Sequence, residues 1–227
     1  KTQCPAEKIT PQRDDRGTMT KPTPLSGPRH SPAGGGPARQ LVVLLHGLGA
    51  DGNDLIGLAP HWAARLPDAA FVAPNAPEPC DMAPAGFQWF SLQTLSPPEV
   101  DAGVVRAAPL LDAFIDEELA SLGLNEDCLA LVGFSQGTMM ALHVALRRAR
   151  PCAGIVGFSG RLANAAKLEA EVRAKPPILL VHGRVDDLIP ITSMFEAVSD
   201  LGAAGLKPEW HVSEGVGHGI AEDGLRL

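Results

Sequence analysis

The segment Gly133-Phe134-Ser135-Gln136-Gly137 constrains this chain more than any other feature. It follows the apolar run Cys128-Leu129-Ala130-Leu131-Val132 and precedes a helical pattern over 138–148. A strand that enters Gly-x-Ser-x-Gly and leaves as a helix is the pattern of a nucleophile elbow. The serine takes a strained backbone position between strand and helix, so that its hydroxyl projects from the sheet edge. Side chains two residues to either side would collide across so tight a bend, and glycine avoids this at low cost. The helix that follows aims its first N–H groups at the place where an oxyanion would form. A glycine-rich turn with an ordinary serine satisfies the same five letters, so partners must be sought elsewhere in the chain.

The rest of the chain supplies the frame for such an elbow. Apolar runs at 41–45, 70–73, 128–132, 153–158, 178–181 and 209–212 alternate with helical patterns at 54–65, 98–121, 138–148, 163–174 and 191–201. This rhythm predicts an α/β fold built on a mainly parallel sheet. Strands apolar on every residue suit a sheet with helices on both faces. Pro109 predicts a kink or break in the second helix. Pro208 predicts that the last strand starts late or lies at an edge. With 227 residues, the chain suits one domain with a sizeable core.

Two stretches break the rhythm. Residues 1–40 are rich in Pro, Gly, Thr and charge without sustained periodicity, and read as a partly disordered or loosely attached arm ahead of a domain at 41–227. Met19 is a candidate start, with residues 1–18 as upstream sequence, and a short strand near Leu25 is weakly signalled. The loop at 75–97 carries Met82, Phe87, Trp89, Phe90 and Leu92 between several prolines. Loops this long are uncommon unless functional. Met82, Phe87, Trp89 and Phe90 are therefore candidates for an acyl-binding wall, with capping of the core as an equal alternative.

Composition excludes several partners. A net charge of −7 argues against nucleic acid or an anionic membrane surface. No apolar run approaches the roughly 20 residues of a bilayer span. The N-terminal residues lack a secretory signal's apolar core. Cys4, Cys80, Cys128 and Cys152 are scattered, without metal-ligand spacing. A cytoplasmic protein with reduced thiols is expected.

A serine hydroxyl needs an imidazole to take its proton and a carboxylate to fix that imidazole's tautomer. Downstream of Ser135, a carboxylate pair lies in His182-Gly183-Arg184-Val185-Asp186-Asp187-Leu188-Ile189-Pro190, just past a strand. That is where ligand chemistry falls in parallel sheets. Asp186 and Asp187 both qualify by position. His218, in Gly215-Val216-Gly217-His218-Gly219, follows the next strand and has small neighbours that let a loop present its ring. His182 ends a strand and is expected to make internal hydrogen bonds. His143, His61 and His211 fall within regular elements, and His30 lies in the arm. The run His46-Gly47-Leu48-Gly49-Ala50-Asp51-Gly52 follows the first strong strand, and its glycines let backbone N–H groups approach a ligand.

Taken together, His46 to Asp54, Gly133 to Gly137, His182-Gly183-x-x-Asp186 through Pro190, and Gly217-His218 resemble the phospholipase/carboxylesterase family of serine α/β-hydrolases. That family includes small bacterial carboxylesterases and the acyl-protein thioesterases. The resemblance implies the α/β-hydrolase fold, with Ser135 as nucleophile, His218 as base, and Asp186 rather than Asp187 as the acid. It also implies Leu48 and Gln136 as backbone oxyanion donors, no metal and no organic cofactor. Arg184 stands where the family often has Asp. The segment 80–92 looks closer to the bacterial esterase branch than to the thioesterases. Leu227 falls nine residues after His218, where the family usually completes a helix, so a short or truncated last helix is expected.

The implied activity is hydrolysis of short- to medium-chain carboxylic esters through an acyl-enzyme. A small-molecule ester is the expected partner, and homodimer formation is left open. Acyl-protein thioesterase or lysophospholipase activity is the nearest alternative. A peptidase, a dienelactone hydrolase and a non-catalytic binding module on the same fold are more distant ones.

Overall fold

The computed structural model describes residues 24–94 and 96–227. The readings placed on Cys4, residues 1–18 and Met19 lie outside the described residues. In chain order the elements are β1 (Arg29–His30), β2 (Gln40–Leu45), α1 (Gly52–Ile56), α2 (Ala59–Ala63), β3 (Ala69–Val72), β4 (Glu78–Pro79), β5 (Phe87–Gln88) and α3 (Pro97–Leu122). A 3₁₀ turn, Glu126–Cys128, leads into β6 (Leu129–Phe134) and α4 (Gln136–Ala145). The chain continues through β7 (Gly154–Phe158), α5 (Ala165–Glu171), β8 (Ile178–Gly183), α6 (Thr192–Ala203), β9 (Glu209–Ser213) and α7 (Glu222–Leu225).

Seven strands form one sheet in the order β1-β3-β2-β6-β7-β8-β9, parallel except for β1 against β3. Alternate residues of each strand point to opposite faces. Leu41, Val43, Leu45, Leu129 and Leu131 pack with α3, α4, α5 and α6 on one face. Val42, Leu44, Phe71, Val132 and Phe158 pack beneath α1, α2 and α7 on the other. This double burial is why these strands are apolar throughout. The C-terminal ends of β2, β6, β8 and β9 fall along one edge of the sheet, and their following loops hold the candidate residues. β9 starts directly after Pro208 and is an edge strand, as its proline requires.

Three expectations are corrected. The helix anticipated over 54–65 is two short helices, because Pro60 lacks an N–H and is accepted in the first turn of a new helix rather than inside an old one. At Pro109 the predicted break is absent, for α3 runs from Pro97 to Leu122 through it. Pro109 and Val105 are both exposed, so the Val105 carbonyl left without a donor faces water, while Val104, Ala107, Leu111 and Phe114 anchor the opposite face. Residues 24–40, expected within a loose arm, run fixed along the sheet edge. The Ser26 and Pro28 carbonyls accept from Asn75 and Ala73 N–H at 2.9 and 3.0 Å, and Arg29 forks onto Glu118. A strand of two residues has no period to detect, so it passed unseen and lies at Arg29 rather than Leu25.

Inside α4, His143 is buried, and burial pushes its pKa down to about 3, with nearby Arg147 adding to the effect. The folded protein therefore holds this imidazole neutral where the unfolded chain would protonate it. Its contribution to stability is present above about pH 6.5 and is lost as pH falls toward 3, at about 1.4 kcal/mol per pH unit. Urea unfolding at pH 6 and pH 5 should show His143→Leu losing about 1.4 kcal/mol less than the parent over that interval. Parallel losses would mean that His143 does not titrate this way.

Candidate active site

The elbow is held by steric exclusion. Ser135 has φ 53° and ψ −114°, a conformation that side chains rarely adopt and that the packing around it must enforce. A Cβ on Gly137 would sit 1.9 Å from the Leu45 carbonyl oxygen, and one on Gly133 would sit 2.5 Å from the Gly137 backbone. The Ser135 N–H donates to the Phe158 carbonyl at 2.9 Å, tying the bend to β7. Ser135 is 8% exposed, open enough to be reached from one side.

The carboxylate next to His218 is that of Asp186. Its Oδ1 accepts from the Leu188 and Ile189 N–H groups at 3.0 and 2.9 Å, and its Oδ2 lies 2.8 Å from His218 Nδ1. A carboxylate oxygen here can only accept, so Nδ1 carries the proton and Nε2 keeps its lone pair free. Asp187 is exposed and lies away from this contact. A second histidine also reaches the acid, with His182 Nε2 lying 3.3 Å from Asp186 Oδ2 and 2.8 Å from the Ile189 carbonyl. Both neighbours accept, so His182 carries its proton on Nε2. The internal hydrogen bond expected of His182 is the one to the Ile189 carbonyl, which places its ring beside the acid.

His218 packs against Phe134, the residue before Ser135. The Phe134 and His218 ring centroids are 4.9 Å apart, and a Cβ on Gly47 would lie 3.0 Å from the Phe134 ring and 3.3 Å from Ser135 Cβ. The loops after β2, β6 and β9 therefore meet on one phenylalanine. Buried Ser159 steadies the histidine loop from behind, its Oγ donating to the Gly219 carbonyl at 3.2 Å. Among the described residues, the backbone N–H groups of Leu48 and Gln136 make no hydrogen bond, which leaves two donors free at the elbow.

The loop at 75–97 turns out to be the support of the Leu48 turn. Trp89 and Phe90 are each 1% exposed and pack in the core, the position that capping, the alternative to an acyl wall, requires. Trp89 Nε1 donates to the His46 carbonyl at 3.0 Å, and the Gln136 side chain accepts from Trp89 N–H at 2.8 Å and donates to the Phe90 carbonyl at 2.7 Å. Met82 is 64% exposed, and Phe87 is half-buried in the hairpin β4–β5. That hairpin grips the same turn through Gly49 N–H to the Phe87 carbonyl and Phe87 N–H to the Ala50 carbonyl, both at 2.8 Å. Gly86, at φ 85°, passes so near that a Cβ would sit 2.1 Å from the Gly49 oxygen. Apolar patterning does not distinguish a wall from a buttress, since both bury aromatic rings.

His46 completes the buttress. It is fully buried, its Nε2 accepts from Ala76 N–H at 3.0 Å, and its Nδ1 donates to the Gly47 carbonyl at 2.7 Å. Burial lowers its pKa below the ordinary range despite the bond to Gly47, which keeps that Nε2 lone pair available.

A site of this design defines a serine hydrolase of the α/β class, and sequence relationships agree. The family model for phospholipases and carboxylesterases matches residues 32–227, and the chain belongs to this family. It is a carboxylic ester hydrolase. Esterase YpfH of Escherichia coli (strain K12) is 32% identical over 185 residues, covering 81% of this chain and 78% of that protein. Acyl-protein thioesterase 1 of Schizosaccharomyces pombe is 34% identical over 158 residues, covering 66% and 69%. The crystal structure of esterase PE8 superposes with a TM-score of 0.86 at 45% identity, covering 90% of this chain and 95% of that one.

Trp89→Ala should cost about 3–5 kcal/mol of stability, the range for removing a large buried side chain. Chain-length preference across acetate to octanoate esters should stay as in the parent. A shifted preference with an unchanged melting temperature would return Trp89 to the acyl site.

Proposed function

We propose that Ser135, His218 and Asp186 are the catalytic triad of this carboxylesterase, with the N–H groups of Leu48 and Gln136 as its oxyanion hole. The observation that carries this is the 2.8 Å contact of His218 Nδ1 with a buried carboxylate, on a ring that packs against Phe134, the residue before the strained serine. His218 Nε2 takes the Ser135 proton as Oγ attacks the ester carbonyl. The oxygen, now negative, accepts from Leu48 and Gln136 N–H. The tetrahedral intermediate collapses as His218 Nε2–H protonates the departing alkoxide, leaving an acyl-Ser135. Water, deprotonated by His218, attacks the acyl carbon; the carboxylic acid leaves and Oγ regains its proton.

Asp186 stays ionised throughout, holding the imidazole tautomer and balancing the imidazolium when it forms. Two backbone N–H groups and His182 share its charge, so it is not an orphan in the core. The same steps cleave a thioester, and the similarity to an acyl-protein thioesterase favours that as a second reading. Among the described residues no helix is long and apolar enough to cross a membrane, and Cys80, Cys128 and Cys152 are free thiols. Unpaired cysteines support the cytoplasmic location expected from the sequence.

A fluorophosphonate probe should label the parent stoichiometrically at Ser135, and Ser135→Ala should lose roughly 10⁴- to 10⁶-fold in kcat while keeping its melting temperature. Ester hydrolysis within tenfold of the parent would sink the triad assignment. The acid is tested separately. Asp186→Asn should lower kcat by roughly 10⁴-fold, the scale of loss that a wrong imidazole tautomer causes in serine proteases. Asp187→Asn, at an exposed position, should lower it far less, and exchanged behaviour of the two variants would move the acid to Asp187.

A further inference from the structure

Beside the proposed triad lies a cleft of about 180 Å³. Val100, Met139, Leu188 and Ile189 supply its apolar lining, and Arg161 and Ser193 its polar groups. Both sides are anchored to the triad. Met139 stands one helical turn beyond Ser135, and its N–H donates to the Ser135 carbonyl at 3.3 Å. Leu188 and Ile189 supply the N–H groups that bind Asp186. Arg161 follows Gly160, where a Cβ would lie 3.0 Å from the Ser135 carbonyl oxygen. Leu188 is 54% exposed, an apolar rim open to solvent. The cleft has the volume of about six water molecules. That is room for a short chain with a polar end, and too little for a long alkyl tail held inside.

The arginine is the feature that calls for an occupant. Among the described residues Arg161 forms no hydrogen bond and no ion pair, although it is half-buried. Arg29, Arg147, Arg148, Arg184 and Arg226 each pair with a carboxylate. Arg39, Arg65, Arg106, Arg150 and Arg173 lack a carboxylate partner and are exposed. A half-buried guanidinium without a counter-ion costs desolvation and returns no stability. Such a departure is expected where a ligand supplies the missing charge. The chain's net charge of −7 would repel an anionic substrate, so a local cation is needed to admit one.

We propose that Arg161 receives a carboxylate carried by the ester substrate, so that short carboxylate-bearing esters are preferred to neutral esters of the same length. The planar guanidinium fork matches a carboxylate with two parallel hydrogen bonds, and the apolar lining takes the methylenes between that carboxylate and the ester. Arg161 thereby sets specificity and takes no part in bond making. The proposal rests on the triad assigned above, because the cleft matters to catalysis only if Ser135 is the nucleophile.

The test compares kcat/KM for monomethyl glutarate and methyl pentanoate, which differ by a carboxylate in place of a terminal methyl. A second pair, carboxymethyl butyrate and propyl butyrate, puts the charge on the alcohol side. The parent should favour the charged member of at least one pair by roughly ten- to a hundredfold, the scale of a charge-assisted contact. That ratio should shrink as salt is added. Arg161→Leu should abolish it, and Arg161→Lys, with charge but no fork, should keep part of it. Each ratio is taken within one preparation and does not depend on the active fraction. If Arg161→Leu cannot be obtained folded, inhibition of the parent by glutarate replaces it. Competitive inhibition that weakens with salt supports the proposal, and none up to tens of millimolar overturns it. A parent that favours neutral esters in both pairs, or an Arg161→Leu ratio equal to the parent's, also overturns it. Loss of all turnover in Ser135→Ala alongside either result would leave the triad standing and remove only the role of Arg161.

Discussion

The close approach of α4 to the end of β2 is the constraint on which the rest of the structure depends. Gly137 lies against the Leu45 carbonyl so tightly that no side chain fits between them. β2 and β6 are adjacent and parallel, with Leu45 opposite Gly133, so the turn after one strand and the elbow after the other occupy the same corner. The two turns that carry the proposed oxyanion donors are thereby brought to one corner of the sheet. A larger residue at 137 would push helix and strand apart and separate the two donors together with the serine. The same parallel register carries β8 and β9 to the same edge, where Gly183 and the 216–217 backbone meet at a similar distance.

Support from behind is as important as the groups in front. Gln136 contributes its backbone N–H to the front of the site and its side chain to the back, where it clamps the backbone of Trp89 and Phe90. Trp89 in turn holds the His46 carbonyl, and His46 holds Ala76. A long loop rich in proline thus becomes rigid through a few buried hydrogen bonds, each costly to break because its partners would be left unpaired away from water. Rigid donors need no reorganisation as charge develops on the substrate, which is the property an oxyanion hole requires.

The charges around the proposed triad follow one logic. Asp186 is buried and surrounded by donors, two of them backbone, so it can remain an anion and orient His218. His46 and His143 are held neutral by burial and serve structure. Among the described residues, Arg161 is the half-buried arginine that lines the cleft without a counter-ion.

Sequence by itself determined the sheet, its helical cover and the order of the candidate residues. Apolar runs with two buried faces, and glycines at 133 and 137 on either side of Ser135, admit few other folds. It did not determine the two-residue strand at Arg29, because pairing at a sheet edge has no periodic trace. Nor did it determine the work of the 75–97 loop, since Trp89 and Phe90 have the same hydrophobicity whether they wall a pocket or hold a backbone turn. From position alone Asp186 and Asp187 were equal, and family resemblance favoured Asp186. Only the tertiary structure turned one carboxylate toward His218 and the other toward water, because the Leu188 and Ile189 N–H groups and His218 gather around Asp186 while Asp187 is left exposed.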